Sequence, residues 1–201
     1  QARDDGYTKI IALSISSGLS TTCDVMCSMA ELFPKLQIEV IDTLNIGIAC
    51  GMIAAYAAEQ LSKGASFDEA VARTRDIVPK THIFFIPNGL EYLYKGGRIT
   101  KTIYALGSVL NLRPVLTCDE NGKYVVAGKA RGRKKSIEKA FELAGKCREP
   151  ETRYRFIAAQ GAAEEEEQAM LARAAELFDD AEEIVDGKDI SPALVVHTGP
   201  G

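Results

Sequence analysis

The chain has 201 residues, 46% of them apolar and 26% charged, with a formal net charge of −4. That length supports one or two domains with a sizeable core, and the acidic balance argues against non-specific nucleic-acid binding, which needs a basic face to neutralise phosphates. No apolar run approaches the roughly 20 residues of a membrane span; the longest, Ile46 to Ala58, is interrupted by Gly47, Cys50, Gly51 and Tyr56.

Lys9 to Ile15 is β-branched and apolar and predicts a buried strand, followed by a helix over Leu19 to Phe33. The turn between them, Ser14-Ile15-Ser16-Ser17-Gly18, is rich in hydroxyls. A second strand, Leu36 to Ile41, ends in Asp42-Thr43, and a helix over Ile46 to Lys63 stops at Gly64. Ser66 with Glu69 three residues on is a capping box that opens a helix running to about Val78, before Pro79. Strand–helix–strand–helix predicts a parallel sheet. A domain boundary near Lys80 gives a first α/β domain over 1–80 and a second over 81–201.

In the second half, Thr81 to Ile86 predicts a strand, with His82 as a core residue of it. Short helices follow over Asn88 to Tyr94 and Lys101 to Leu110. Arg113 to Cys118 and Lys123 to Ala127 flank Asp119-Glu120-Asn121-Gly122, a strong hairpin signal. A helix to about Lys146, a strand over Tyr154 to Ala159, a helix over Ala163 to Phe178 and strands near Glu182 to Val185 and Ala193 to Val196 complete the pattern. It predicts a mixed or antiparallel sheet with helices packed on it.

Several constellations could carry chemistry. Ser16-Ser17-Gly18 lies at a strand's carboxyl end before a helix, where parallel sheets bind ligands and free N–H groups meet anions; the same spacing also describes an ordinary N-cap. Asp42-Thr43 falls on the same sheet edge and, alone, is more commonly a cap. Lys95-Gly96-Gly97-Arg98 delivers an arginine suited to a carboxylate, or is a helix C-cap with solvated charges. His197 stands in the Gly/Pro turn His197-Thr198-Gly199-Pro200-Gly201, after the last predicted strand, as an anion donor or a turn residue. Lys129 to Lys135 holds five basic residues in seven and forms either a solvated helix start or a docking patch for a negative partner. Glu164 to Glu167 reads as a solvated helix start. The five scattered cysteines read as structural thiols in a reducing, cytoplasmic setting. No metal-ligand cluster and no G-x-S-x-G elbow is present, and no cofactor is implied.

Taken together the chain resembles the DegV family of bacterial fatty-acid-binding proteins. Six blocks carry the resemblance in family order: Ser16 to Ser20, Val40 to Thr43, Leu90 to Ile99, Leu110 to Leu116, Arg131 to Lys135 and His197 to Gly201. It implies two α/β domains with one fatty acid in a tunnel between them, presented to a separate kinase that makes the acyl phosphate. By the same resemblance Ser16, Ser17 and Gly18 hold the carboxylate, with Arg98, His197 and Thr43; Ser17 is favoured because it adjoins Gly18. Arg131, Arg133 and Lys134 are the candidate kinase-docking residues. The chain departs from the family at Thr21, where Gly is usual. The family's N-terminal T-S-Q-P-type turn, whose Thr also touches the carboxylate, has no counterpart in the sequence, and both ends read as cuts, so a larger carrier is expected. The competing expectation is a hydrolase or transferase with Ser17 as nucleophile and His197 as base.

Overall fold

A computed structural model describes residues 2–107 and 111–200 of the chain. Gln1, the predicted helix end at Leu110 and the final Gly201 lie outside the described residues. The chain is α/β and divides into two compact units: Gln1–Thr81 with Cys118–Lys123, and His82–Thr117 with Tyr124–Gly201.

The first unit is built on two strands, β1 (Lys9–Ser14) and β2 (Gln37–Asp42). They pair in parallel from Lys9 against Gln37 to Ser14 against Asp42. Helix α1 (Thr22–Glu31) joins them, and α2 (Gly47–Ser62) and α3 (Phe67–Ile77) follow. The core gathers Ile41, Ile53, Val71 and Val78, with Ile11, Leu13, Leu44, Phe67 and Ile77 packed against it. Ile53, only 1% exposed, anchors α2 on the sheet; truncating such a side chain to Ala costs about 2–5 kcal/mol. The Ser66–Glu69 capping box forms in full: the Ser66 side chain accepts from the Glu69 N–H, and the Glu69 carboxylate accepts from the Ser66 N–H at 2.8 Å.

Helix α1 starts later than its periodicity predicts. Ser20 Oγ accepts from the Thr22 N–H at 3.3 Å and shares a hydrogen bond with Thr22 Oγ1 at 2.8 Å. Such local side-chain bonds compete with the helix, so Ser16-Ser17-Gly18 forms a separate turn ahead of α1 and is not its cap.

The second unit opens on α4 (Glu91–Lys95), α5 (Lys101–Leu106), β3 (Leu112–Cys118) and β4 (Tyr124–Arg131). It continues with α6 (Arg133–Lys146), β5 (Arg155–Gln160), α7 (Glu164–Leu177), β6 (Glu183–Asp189) and α8 (Pro192–Thr198). Strands β3 and β4 pair with each other, and β5 pairs with β6 in parallel. One cluster packs Ile86, Val115 and Ala140. A second packs Phe141, Ala174 and Phe178 with Tyr154 and Phe156, its rings 5.1 Å apart for Phe156–Phe178 and 5.8 Å for Phe141–Phe156.

Three expectations fail here. Thr81 to Ile86 is not a strand: it makes a single antiparallel bridge, Phe85 to Leu116. The next hydrogen-bonded pair on one side would be Pro87 with Pro114, and neither has an N–H to give. His82 is accordingly exposed and not a core residue. Ala193 to Val196 is helical: Ser191 caps α8 by accepting from the Leu194 N–H at 3.3 Å, and Pro192 takes the first turn. A short apolar run cannot distinguish strand from helix by period, whereas the Ser-Pro start signal can.

The third failure is the acidic run. Glu164 and Glu165 are exposed, but Glu166 is ion-paired to Arg133 and Glu167 is 3% exposed. Glu167 shares the inner face of α7 with Met170 and Ala174 at helical spacing. Its Oε1 has no hydrogen-bond partner among the described residues. Burial first, then the Asp186 charge, raise the Glu167 pKa, and the Lys188 backbone N–H offsets part of this. A carboxyl whose pKa is raised by folding stabilises most below its unfolded-state pKa, and that stability is lost as pH rises through the folded value. Glu167→Gln should therefore raise the melting temperature at pH 7.5, by about 2–4 °C per kcal/mol gained, and flatten its fall between pH 5 and pH 8. Circular-dichroism melts at both values check this; equal slopes in variant and wild type would contradict it.

Candidate functional site

The parallel register sets Ser14 beside Asp42, so the chain leaves both strands at one edge. Two turns meet there and are stitched together by backbone. The Thr43 N–H donates to the Ser14 carbonyl at 3.1 Å and the Ser16 N–H to the Asn45 carbonyl at 2.8 Å. Asn45 Nδ2 donates in turn to the Thr43 and Thr81 carbonyls at 3.2 and 3.0 Å.

The hydroxyls at this edge divide into two kinds. Thr43 is fully buried and its Oγ1 donates to the Ser14 carbonyl at 2.7 Å. Ser16 is fully buried; its Oγ donates to the Gly122 carbonyl at 2.8 Å and accepts from the Gly18 N–H at 3.0 Å. Ser17 is exposed. Its N–H donates to both carboxylate oxygens of Asp42 at 3.2 Å, and its hydroxyl has no hydrogen-bond partner among the described residues. The Asp42 carboxylate also accepts from the Leu44 N–H at 3.0 Å. Leu44 adopts φ +50°, a left-handed conformation that costs a branched residue roughly 1–2 kcal/mol. Burial is the main cause that raises the nearby Cys23 and Cys50 thiols above the usual range, and Asp42 adds to both.

Sequence spacing identified the hairpin tip but not its place. Residues Cys118–Lys123 belong to the first unit, and the tip lies against the Ser16–Gly18 turn. Asp119 shapes it by accepting from the Asn121 and Lys123 N–H groups at 3.0 and 2.8 Å. The two backbones approach so closely that side chains are excluded. A methyl on Gly18 would come within 2.5 Å of the Asn121 carbonyl oxygen, and one on Gly122, at φ +69°, within 1.9 Å of Ser16 Oγ.

In the second unit, Lys95-Gly96-Gly97-Arg98 terminates α4. The Arg98 N–H donates to the Leu93 carbonyl at 2.8 Å and the Gly97 N–H to the Tyr94 carbonyl at 2.9 Å, with Gly97 at φ +73°. This is the paired-bond C-cap that glycine favours. The Arg98 guanidinium is partly exposed and donates to the Gly96 carbonyl. His197 occupies the last turn of α8, which packs on α4. A methyl on Gly96 would stand 3.2 Å from His197 Nδ1, so the fold brings the glycine–arginine turn and the histidine together. Asn88, which sequence spacing did not single out, holds the turn beyond His197: its Nδ2 donates to the Pro200 carbonyl at 3.0 Å, while its own carbonyl accepts from Arg113.

The basic run is not uniform. Arg131 and Lys134 are exposed. Arg133 donates through Nε to both Glu166 oxygens at 3.0 Å and through Nη1 to the Ile86 carbonyl, which ties α6 to α7. Among the described residues no three His, Cys, Asp or Glu are placed to hold a metal ion, and no helix is long and apolar enough to cross a membrane.

A family model described as "Uncharacterised protein, DegV family" matches residues 1–201. A DegV domain-containing protein of Clostridium acetobutylicum is 33% identical over 198 residues, which is 98% of this chain and 70% of that relative. A structure described as fatty acid binding of a DegV family protein from Thermus thermophilus is 30% identical with TM-score 0.87, covering 99% of this chain and 70% of that one. A fatty acid binding DegV family protein from Streptococcus agalactiae is 28% identical with TM-score 0.85, covering 100% and 70%.

Gly122→Ala should lower stability by about 1–2 kcal/mol for the left-handed backbone alone, and by more for the clash with Ser16. Thermal melts read the loss; an unchanged melting temperature would contradict the packing described.

Proposed function

The chain belongs to the DegV family, and from that premise we propose that it binds one long-chain fatty acid by its carboxylate and hands it to a separate kinase for conversion to the acyl phosphate. One observation carries the reading: at the carboxyl edge of β1 and β2, the Ser17 hydroxyl alone of the three predicted hydroxyls is exposed and has no hydrogen-bond partner among the described residues. Ser16 and Thr43 serve by building the turn that carries it. The fatty acid binding of the Thermus thermophilus and Streptococcus agalactiae relatives supports the choice of ligand.

The physical chemistry suits such a ligand. Each buried methylene contributes roughly 0.8 kcal/mol, so a tail of about sixteen carbons offers on the order of 10 kcal/mol before the entropic cost of association. The carboxylate, once dehydrated, needs hydrogen bonds or a cation. Ser17 is the neutral donor; Arg98 and His197, adjoining across Gly96, are the candidate cation and imidazole. This assignment asks no covalent step of the chain itself.

Protein purified from cells and extracted under denaturing conditions should release fatty acid, with one molecule per chain by native mass spectrometry. Ser17→Ala should weaken oleate or palmitate binding by roughly 10- to 100-fold, the loss of a hydrogen bond to a charged group worth about 1.5–3 kcal/mol. Protein that carries no lipid and binds neither acid would overturn the reading. For the kinase, the exposed Arg131 and Lys134 are the docking candidates; Arg133 is committed to Glu166. Reversing both to Glu should weaken kinase coupling and leave lipid affinity unchanged, and unaltered coupling would remove this surface from the account.

A further inference from the structure

We propose that Asp42 is the positioning residue for the fatty-acid carboxylate: it makes no contact with the ligand but fixes the direction in which the Ser17 hydroxyl points. The inference rests on the assignment of Ser17 as carboxylate donor. An acidic side chain beside an anion site needs a reason, because it repels the ligand it adjoins. Here the reason is geometric. Asp42 sits at the last paired position of β2, opposite Ser14, and its carboxylate reaches across to the neighbouring turn.

Three contacts define what it does. Both oxygens accept from the Ser17 N–H, at 3.2 Å each, so one bifurcated hydrogen bond ties the Ser17 backbone to the end of β2. One oxygen also accepts from the Leu44 N–H at 3.0 Å, which holds Leu44 in its left-handed conformation, φ +50°. The carboxylate thus spans two turns from two strands. Behind the same turn, Gly122 abuts Ser16, whose hydroxyl donates to the Gly122 carbonyl at 2.8 Å. The turn is therefore held at Ser17 by Asp42 and at the flanking Ser16 and Gly18 by the hairpin tip. This arrangement also selects the donor. The Ser17 N–H is spent on Asp42, so the group left for an incoming carboxylate is the hydroxyl, and a rigid backbone beneath it limits its positions to those of one side-chain torsion.

This role differs from general structural support, because its effect must pass through Ser17. Oleate affinity measured for Asp42→Ala, Asp42→Asn, Ser17→Ala and the Ser17→Ala/Asp42→Ala pair separates the two. Asp42→Ala should weaken binding roughly tenfold, the factor expected for a loss near that of one ordinary hydrogen bond. Asp42→Asn keeps one acceptor oxygen, at the position that serves both N–H groups, and loses only the second acceptor of the Ser17 N–H, so it should retain affinity within about threefold. The double variant should bind no more weakly than Ser17→Ala alone, since sites that act through one another are not additive. Wild-type affinity in Asp42→Ala, or losses that multiply in the double variant, would overturn the inference while leaving Ser17 in place. Wild-type affinity in Ser17→Ala would overturn the Ser17 assignment and this inference with it. Where Asp42→Ala does not fold, Asp42→Ser, too short to span both turns, replaces it with the same expected outcomes.

Discussion

The carboxylate-binding role proposed for Ser17 depends on the parallel pairing of β1 with β2 in a register that sets Ser14 beside Asp42. Because both strands run the same way, both chains turn at the same edge, and the polar groups that end each strand must satisfy one another there. The Asp42 carboxylate does this for the Ser17 and Leu44 N–H groups, Thr43 for the Ser14 carbonyl, and Asn45 for Thr43 and Thr81. The apolar cluster of Ile41, Ile53, Val71 and Val78 holds the strands and helices that make such an edge possible. A buried edge of this kind leaves few polar atoms unpaired, and the hydroxyl it leaves over, that of Ser17, is the one presented outward.

The second unit shows the same economy with different means. A glycine-terminated α4 and the Asn88–Pro200 contact bring Arg98 and His197 to one corner. The Arg133 fork onto Glu166 ties α6 to α7, and the ring cluster around Phe178 fills the space between α6, α7 and the β5–β6 pair. Glu167 departs from this pattern: a carboxyl on the packed face of α7, one of whose oxygens has no hydrogen-bond partner among the described residues.

Much of this was legible in the sequence, and the failures have physical causes. The Ser66–Glu69 capping box, the Asn121-Gly122 turn and the two opening strands follow from local chemistry, and local chemistry is what a sequence states most directly. The six family blocks supplied the candidate site residues, and several of those also hold the fold: Ser16 and Thr43 build the edge turns and Arg133 ties α6 to α7. What escaped was decided by tertiary contact. Whether Ser16 or Ser17 offers its hydroxyl depends on where the tip at Gly122 rests, more than 100 residues away in sequence. The role of Asp42 depends on which turn stands opposite it. Ala193 to Val196 was too short for its period to decide between strand and helix, although Ser191-Pro192 carried the answer. Composition groups Glu167 with its exposed neighbours, whereas the helical spacing to Met170 and Ala174 puts it on the inner face.

The most direct test of the account is a crystal structure of the protein grown with oleate. The account predicts density for one acyl chain with its carboxylate within about 2.5–3.0 Å of Ser17 Oγ, and with the Ser17 N–H still bound to Asp42. A carboxylate that sits away from Ser17, or that displaces Asp42 to take the Ser17 N–H for itself, would contradict it.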